Sequence, residues 1–143
     1  MDIVHHGGCL CGAVRYRITG EPVARTLCHC RSCRLASGAP SLAWIVVHAG
    51  DLHHEGAMPA EFESSPGIFR GFCARCGTSL TWRSAAKPGS IDLTTASLDA
   101  PDAFGPTKEI WVEHRLAWEA PNPTLPQYLR SSVGAEPIAP GAS

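Results

Sequence analysis

FCARCGTSLTWR, residues 72–83, carries two signals in twelve positions. Its first part, CARCG (73–77), spaces two cysteines as C-x-x-C and follows the second with glycine. A metal-binding knuckle turns sharply at that point, often with positive φ, so that backbone N–H groups aim at the sulfurs. Glycine takes that conformation without a Cβ penalty. The second part, TSLTWR (78–83), alternates Leu80 and Trp82 with polar residues, the period-two pattern of a half-buried strand. The same order of events occurs near the N-terminus. CLCG (9–12) again ends in glycine, and AVRYRI (13–18) sets Val14, Tyr16 and Ile18 against Ala13, Arg15 and Arg17. Two knuckles of one kind supply four thiolates, the number a closed tetrahedral zinc site takes. Cys9, Cys11, Cys73 and Cys76 are therefore expected to close one structural site that ties the first hairpin to the middle of the sheet.

Working outward, SLAWIVV (41–47) reads as a strand with Leu42, Trp44 and Val46 inward, SIDLTT (90–95) with Ile91 and Leu93, and KEIWVEH (108–114) with Ile110 and Val112. Turns fall at Gly20–Pro22, Gly50–Asp51, Ser65–Gly67 and Lys87–Gly89. RSCRLAS (31–37) reads as a short helical turn and PDAF (101–104) as another. Trp44, Trp82, Trp111 and Trp118 read as core and pocket wall. The pattern predicts a mainly β, antiparallel domain with long loops over residues 1–130, and a loose tail, SSVGAEPIAPGAS, over 131–143. With 12 prolines and 14 glycines the local propensities are weak, so metal crosslinks offset part of the loop entropy.

The formal charge of the 143 residues is −1, which supplies no basic field for nucleic acid or anionic lipid. MDIVHHGG lacks the apolar core of a signal peptide, and no run of about 18 apolar residues is present. The expectation is a cytoplasmic protein with no membrane partner and with reduced thiols. An odd cysteine count of seven, tightly clustered, favours metal over disulfides.

Three cysteines remain, in TLCHCRSCRLASG (26–38). An extended C-H-C puts the sulfurs of Cys28 and Cys30 on one face, and a turn of three residues brings Cys33 back to them. Three thiolates on a tetrahedral ion leave a position open for water or substrate, as in catalytic zinc. The alternative is a second structural zinc closed by His29, His48, His53, His54 or His114. Of these, His29 points away from its neighbours if the segment is extended.

GGCLCGAVRY, LCHCRSCRLASGAP, ESSPGIFRGFCARCGTSLTWR, the SLD of ASLDAP, and EHRLAW with LPQY together resemble the glutathione-dependent formaldehyde-activating family, also called centromere protein V-like. The resemblance covers roughly residues 5–128 and departs at Leu10, where many relatives carry histidine between the two cysteines. It implies a zinc-bound β-tent with two zinc ions per chain. One would be structural, on Cys9, Cys11, Cys73 and Cys76, and the other more labile, on Cys28, Cys30 and Cys33. It implies a carbon–sulfur lyase that makes S-(hydroxymethyl)glutathione, with Cys28, Cys30 and Cys33 at the chemistry. Glutathione carries two carboxylates, for which Arg31, Arg34, Arg70 and Arg115 are candidate cations, while Arg31, Arg34, Ser32 and Ser37 are the local groups that would balance the negative charge of a zinc ion held by four thiolates. The alternative reading is a zinc-stabilised binding module without turnover.

Overall fold

A computed structural model describes residues 3–138. In chain order the regular elements are β1 (Val4–Gly8), β2 (Arg15–Thr19), β3 (Ala24–Cys28), the helix α1 (Arg31–Ser37), β4 (Leu42–His48), β5 (Leu52–His54), β6 (Ala60–Ser65), β7 (Ile68–Phe72), β8 (Ser79–Ser84), β9 (Ser90–Thr94) and β10 (Lys108–Ile110). The protein is mainly β, as the alternation predicts, and both stretches read as helical are so: RSCRLAS is α1 and PDAF is a 3-10 turn at Pro101–Phe104.

The chain divides into two compact units. One holds the described residues up to Ala24 together with Ile45–Gly105, and the other holds Arg25–Trp44 together with the residues from Pro106 onward. In the first unit, β1, β2 and β5 form an antiparallel sheet in that order, and β9, β8, β7 and β6 follow one another as antiparallel neighbours. Its core takes Tyr16, Ile18, Ile45, Val47, Leu80 and Leu93, all at or near zero exposure. Val14, Tyr16 and Ile18 go inward as their alternation requires. Tyr16 is sealed by Gly7, where a Cβ would collide with the phenol ring, and its hydroxyl meets Ser97 Oγ at 2.6 Å.

β4 departs from its expected phase. Ile45 and Val47 are fully buried rather than Leu42 and Val46, and Trp44 is buried beside them in sequence. A strand apolar on both faces has no polar residues to set a phase, so alternation alone cannot choose. Trp118 departs too: it is 73% exposed and forms no part of a core.

In the second unit β10 runs parallel to β3, with Leu27 opposite Glu109 and Cys28 opposite Ile110. Here the KEIWVEH reading is reversed in part, because Glu109 is completely buried while Ile110 is half-buried. Trp111 ends the strand in a left-handed conformation (φ 57), and the chain continues as a 3-10 turn at Val112–His114. Residues 122–130 pack back along β10, with Glu109 N–H donating to Pro126 O and Tyr128 N–H to Glu109 O. Of the stretch read as a tail, residues 131–138 are mostly exposed, with Ile138 N–H donating to Gln127 O at 2.8 Å. The remaining five, 139–143, lie outside the described residues.

Candidate metal centres

The two knuckles are built alike. Cys9 N–H donates to Val14 O (3.1 Å) and Cys73 N–H to Thr78 O (3.0 Å), while Gly12 and Gly77 return N–H groups to Cys9 O and Cys73 O. Both glycines sit at φ 81, and both have open space where a Cβ would be, so the requirement is conformational rather than steric. Backbone donors aim at sulfur as expected: Val14 N–H at Cys9 Sγ (3.3 Å), and Arg75 and Cys76 N–H at Cys73 Sγ (3.4 Å each).

Cys9, Cys11, Cys73 and Cys76 place their four sulfurs within 4.8 Å of one another. Cys9 and Cys11 are 3.6 Å apart and Cys11 and Cys73 3.8 Å. A tetrahedral ion with bonds of about 2.3 Å sets its sulfurs about 3.8 Å apart, so the donor set fits zinc. Thr78 links the knuckles, its Oγ1 accepting from Leu10 N–H (3.1 Å) and lying 3.2 Å from Cys76 Sγ. That hydroxyl, then the Thr78 and Cys11 backbone, brings the Cys76 thiol down to about 5, low enough for a thiolate at neutral pH. The sequence pattern did not single out Thr78, although its position directly after the knuckle glycine marks it.

Cys28, Cys30 and Cys33 also converge within 4.8 Å, with Cys28 and Cys33 3.4 Å apart. Their placement uses a different device. Cys28 ends β3, Cys30 is the N-cap of α1, and Cys33 lies in the first helical turn, where its N–H donates to Cys30 Sγ at 3.3 Å. The adjoining Cys30 and Cys33 thiols, and burial, push the Cys28 pKa far up. Three crowded thiols resist joint ionisation, and a cation reverses that preference, so this donor set also fits a metal. Among the described residues no histidine nitrogen or carboxylate oxygen joins the three sulfurs within that distance. His29 and His114 share the unit but not the cluster, and His48, His53 and His54 belong to the first unit. None of the seven cysteines forms a disulfide.

Of the arginines, Arg31 and Arg34 lie on α1, the helix that carries Cys33. Arg34 Nε is buried with no hydrogen-bond partner. Arg115 gives Nη1 to Leu116 O and Glu119 O at 3.3 and 3.4 Å, and Arg70 lies on β7 of the first unit. Ser37 Oγ donates to Cys33 O at 2.7 Å, which holds the helix rather than a ligand, and Ser32 is exposed. A pair that no sequence motif marks, His29 and Glu109, lies completely buried in the second unit.

Fold and site together define a mainly β protein with one four-cysteine and one three-cysteine cluster, each able to hold a metal ion. The chain belongs to the glutathione-dependent formaldehyde-activating family, whose model matches residues 4–114. A Halomonas elongata protein named for glutathione-dependent formaldehyde activation is 35% identical over 85 residues, 52% of each chain. An uncharacterized lyase of Schizosaccharomyces pombe is 30% identical over 76 residues, 53% of this chain and 55% of its own. The chain thus matches about half the length of these curated relatives. A crystal structure of a Rhodobacter sphaeroides protein superposes with a TM-score of 0.55 at 22% identity, over 66% of this chain and 87% of that one, a likeness of fold. Among the described residues no helix is long and apolar enough to cross a membrane.

Proposed function

We propose that the chain is a zinc-dependent lyase-type enzyme that joins a small thiol, glutathione in the first instance, to formaldehyde at the three-cysteine cluster. The observation that carries this reading is the convergence of Cys28, Cys30 and Cys33 with no fourth histidine, cysteine or carboxylate ligand atom among the described residues. Three protein ligands and one open place is the donor count of a catalytic zinc, whereas the four-cysteine cluster is full and has a structural role. Zinc bound at the three sulfurs supplies positive charge that favours the thiolate form of an incoming thiol. In the balanced reaction a carbon–sulfur bond forms, the carbonyl π bond opens, and the proton lost by sulfur ends on the former carbonyl oxygen. No redox partner is consumed.

The chain's own residues have three tasks in this reading. Cys28 and Cys33 are buried and keep two of the sulfurs out of water, while Cys30 is half-exposed and marks the side from which a thiol enters. The Cys33 N–H holds Cys30 Sγ and spreads its charge. Arg31, Arg34 and Arg115 offer cations to the two carboxylates, Arg34 with a buried Nε that no hydrogen bond occupies. Seven cysteines gathered into two clusters that could hold metal suit a reducing compartment, and we assign the protein to the cytoplasm.

Cobalt substitution tests the reading. Adding glutathione to the cobalt-loaded chain is expected to change the thiolate charge-transfer bands, and Cys33→Ser to abolish the change. Formaldehyde capture should run above the spontaneous rate, in proportion to protein, and fall to background in Cys28→Ser. Bands indifferent to every thiol, with no rate above background, would leave a zinc-stabilised binding module in place of the enzyme.

A further inference from the structure

All three ligands of the second cluster come from six consecutive residues, 28–33. A metal there closes a local loop and does nothing to tie those sulfurs to the rest of the unit. In the four-cysteine cluster, by contrast, Cys11 and Cys73 are 62 positions apart. The short segment is anchored instead through the residue between its first two cysteines. His29 and Glu109, 80 positions apart, are each 0% exposed, and His29 Nε2 meets Glu109 Oε1 at 2.6 Å. The other carboxylate oxygen accepts from Asn122 N–H at 2.6 Å and from Gln127 Nε2 at 2.8 Å. Gln127 in turn donates to Asn122 O and Leu125 O. The carboxylate is therefore fixed by two residues of the 122–130 stretch, and its remaining oxygen is left to accept from His29 Nε2. His29 Nδ1 is buried without a hydrogen-bond partner, so the bond to Glu109 is the side chain's anchor. The His29 N–H donates to Ile110 O at 3.1 Å and carries the β3–β10 pairing one residue past Cys28.

We propose that His29 is a positioning residue for the three-cysteine site, held by Glu109, and that the pair sets how firmly this site keeps its metal without His29 being a ligand. The inference rests on the reading that the cluster binds metal. Rotation of the backbone at His29 swings the residues on either side of it, which are Cys28 and Cys30. A side chain clamped by a buried, fully engaged carboxylate removes that freedom and leaves the sulfurs converged before metal arrives. Groups that orient ligands in this way commonly govern metal affinity by about 10–100-fold. A buried pair that merely fills space would behave differently, since removing it would alter stability without singling out one metal site.

The experiment is metal release from the zinc-loaded full chain to a chromophoric chelator. Wild type should release in two phases, the fast one assigned to the second site by its loss in Cys33→Ser. In Glu109→Gln and in His29→Leu the fast phase should quicken by about 10-fold or more while the slow phase keeps its rate. His29→Gln keeps an N–H donor near the Nε2 position and gives up the ring with its partnerless Nδ1, so it should return most of the way to wild type. Gln127→Ala removes one of the three hydrogen bonds to the carboxylate at a half-exposed residue and should give a smaller acceleration of the same phase. A folded Glu109→Gln with an unchanged fast phase overturns the proposal, as do two phases quickening together. Should Glu109→Gln fail to fold, an unchanged fast phase in Gln127→Ala overturns it. A single-phase wild type removes the second metal and defeats this inference along with the proposed function. A two-phase wild type whose cobalt bands ignore thiols defeats the proposed chemistry alone.

Discussion

Asp92 faces Trp82 across β8 and β9, and burial alone pushes its pKa up to about 7. In the unfolded chain an aspartate titrates near 3.9. Between about pH 4 and 7 the folded chain therefore holds a proton that the unfolded chain has lost, and rising pH favours unfolding through that window before the effect levels off. Asp92→Asn removes the term. The variant should gain stability over wild type as pH rises, from nothing near pH 4 to at most roughly 4 kcal/mol above pH 7, at about 1.36 kcal/mol per pKa unit. Urea denaturation of the two metal-loaded proteins at several pH values measures the difference, in which proton release by the metal sites cancels. A difference that stays flat would mean that the carboxylate is ionised throughout. Residues of this kind are poorly legible in sequence. Gly12 and Gly77 are readable because a knuckle has one place for positive φ. Asp92 and Glu109 are not, since a buried carboxylate obeys no pattern and an acidic residue is exposed by default. His29 points away from its neighbours in an extended segment, and its partner stands 80 positions off.

At the scale of elements, the short-range signals came through and the ambiguous ones did not. α1 and the PDAF turn depend on neighbours within four residues, and β2 has a clean polar face, so all three were readable. β4 was readable as a strand but not in phase, and β6, exposed along most of its length, alternates only Ala60 and Phe62 with Glu61 and Glu63, too short a pattern to mark a strand. The element with two duties is α1. Cys30 is at once its N-cap, accepting from Cys33 N–H, and a member of the three-sulfur cluster, while Gly38 closes the other end with its N–H on Arg34 O. The two duties separate by substitution. Cys30→Ser keeps a good cap and loses a thiolate, whereas Cys30→Ala loses both. The serine variant should hold a single zinc yet melt above the alanine variant, which lacks the cap by about 1 kcal/mol. Equal melts would show that a side-chain cap at position 30 contributes nothing once the metal has gone.

At the scale of the whole molecule, the division of seven cysteines into four and three was legible from the residues directly after each cluster: glycine after two, Arg34 after the third. The second set needed the structure for its anchor, because a local C-x-C-x-x-C says nothing about what holds it. The two sets should therefore differ in what their loss does. Cys9 and Cys11 come from one end of the first unit's chain and Cys73 and Cys76 from its middle, with Cys9 and Cys73 buried in the same core as Tyr16 and Leu80. A structural zinc in small metal domains contributes on the order of 10 kcal/mol, as much as a typical domain's whole net stability of about 5–15 kcal/mol. Replacing any of Cys9, Cys11, Cys73 or Cys76 by serine should then unfold the chain or lower its melt severely. Cys28→Ser removes only a ligand of a locally closed site and should leave a folded protein holding one zinc. A strong chelator should act in the same order, taking one equivalent of metal with the fold intact and the second only as the protein unfolds. Thermal melts followed alongside released zinc give both readings in one experiment. The opposite ranking, with Cys28→Ser unfolded and Cys73→Ser intact, would show that the fold hangs on the three-cysteine site and would reverse the roles assigned to the two clusters.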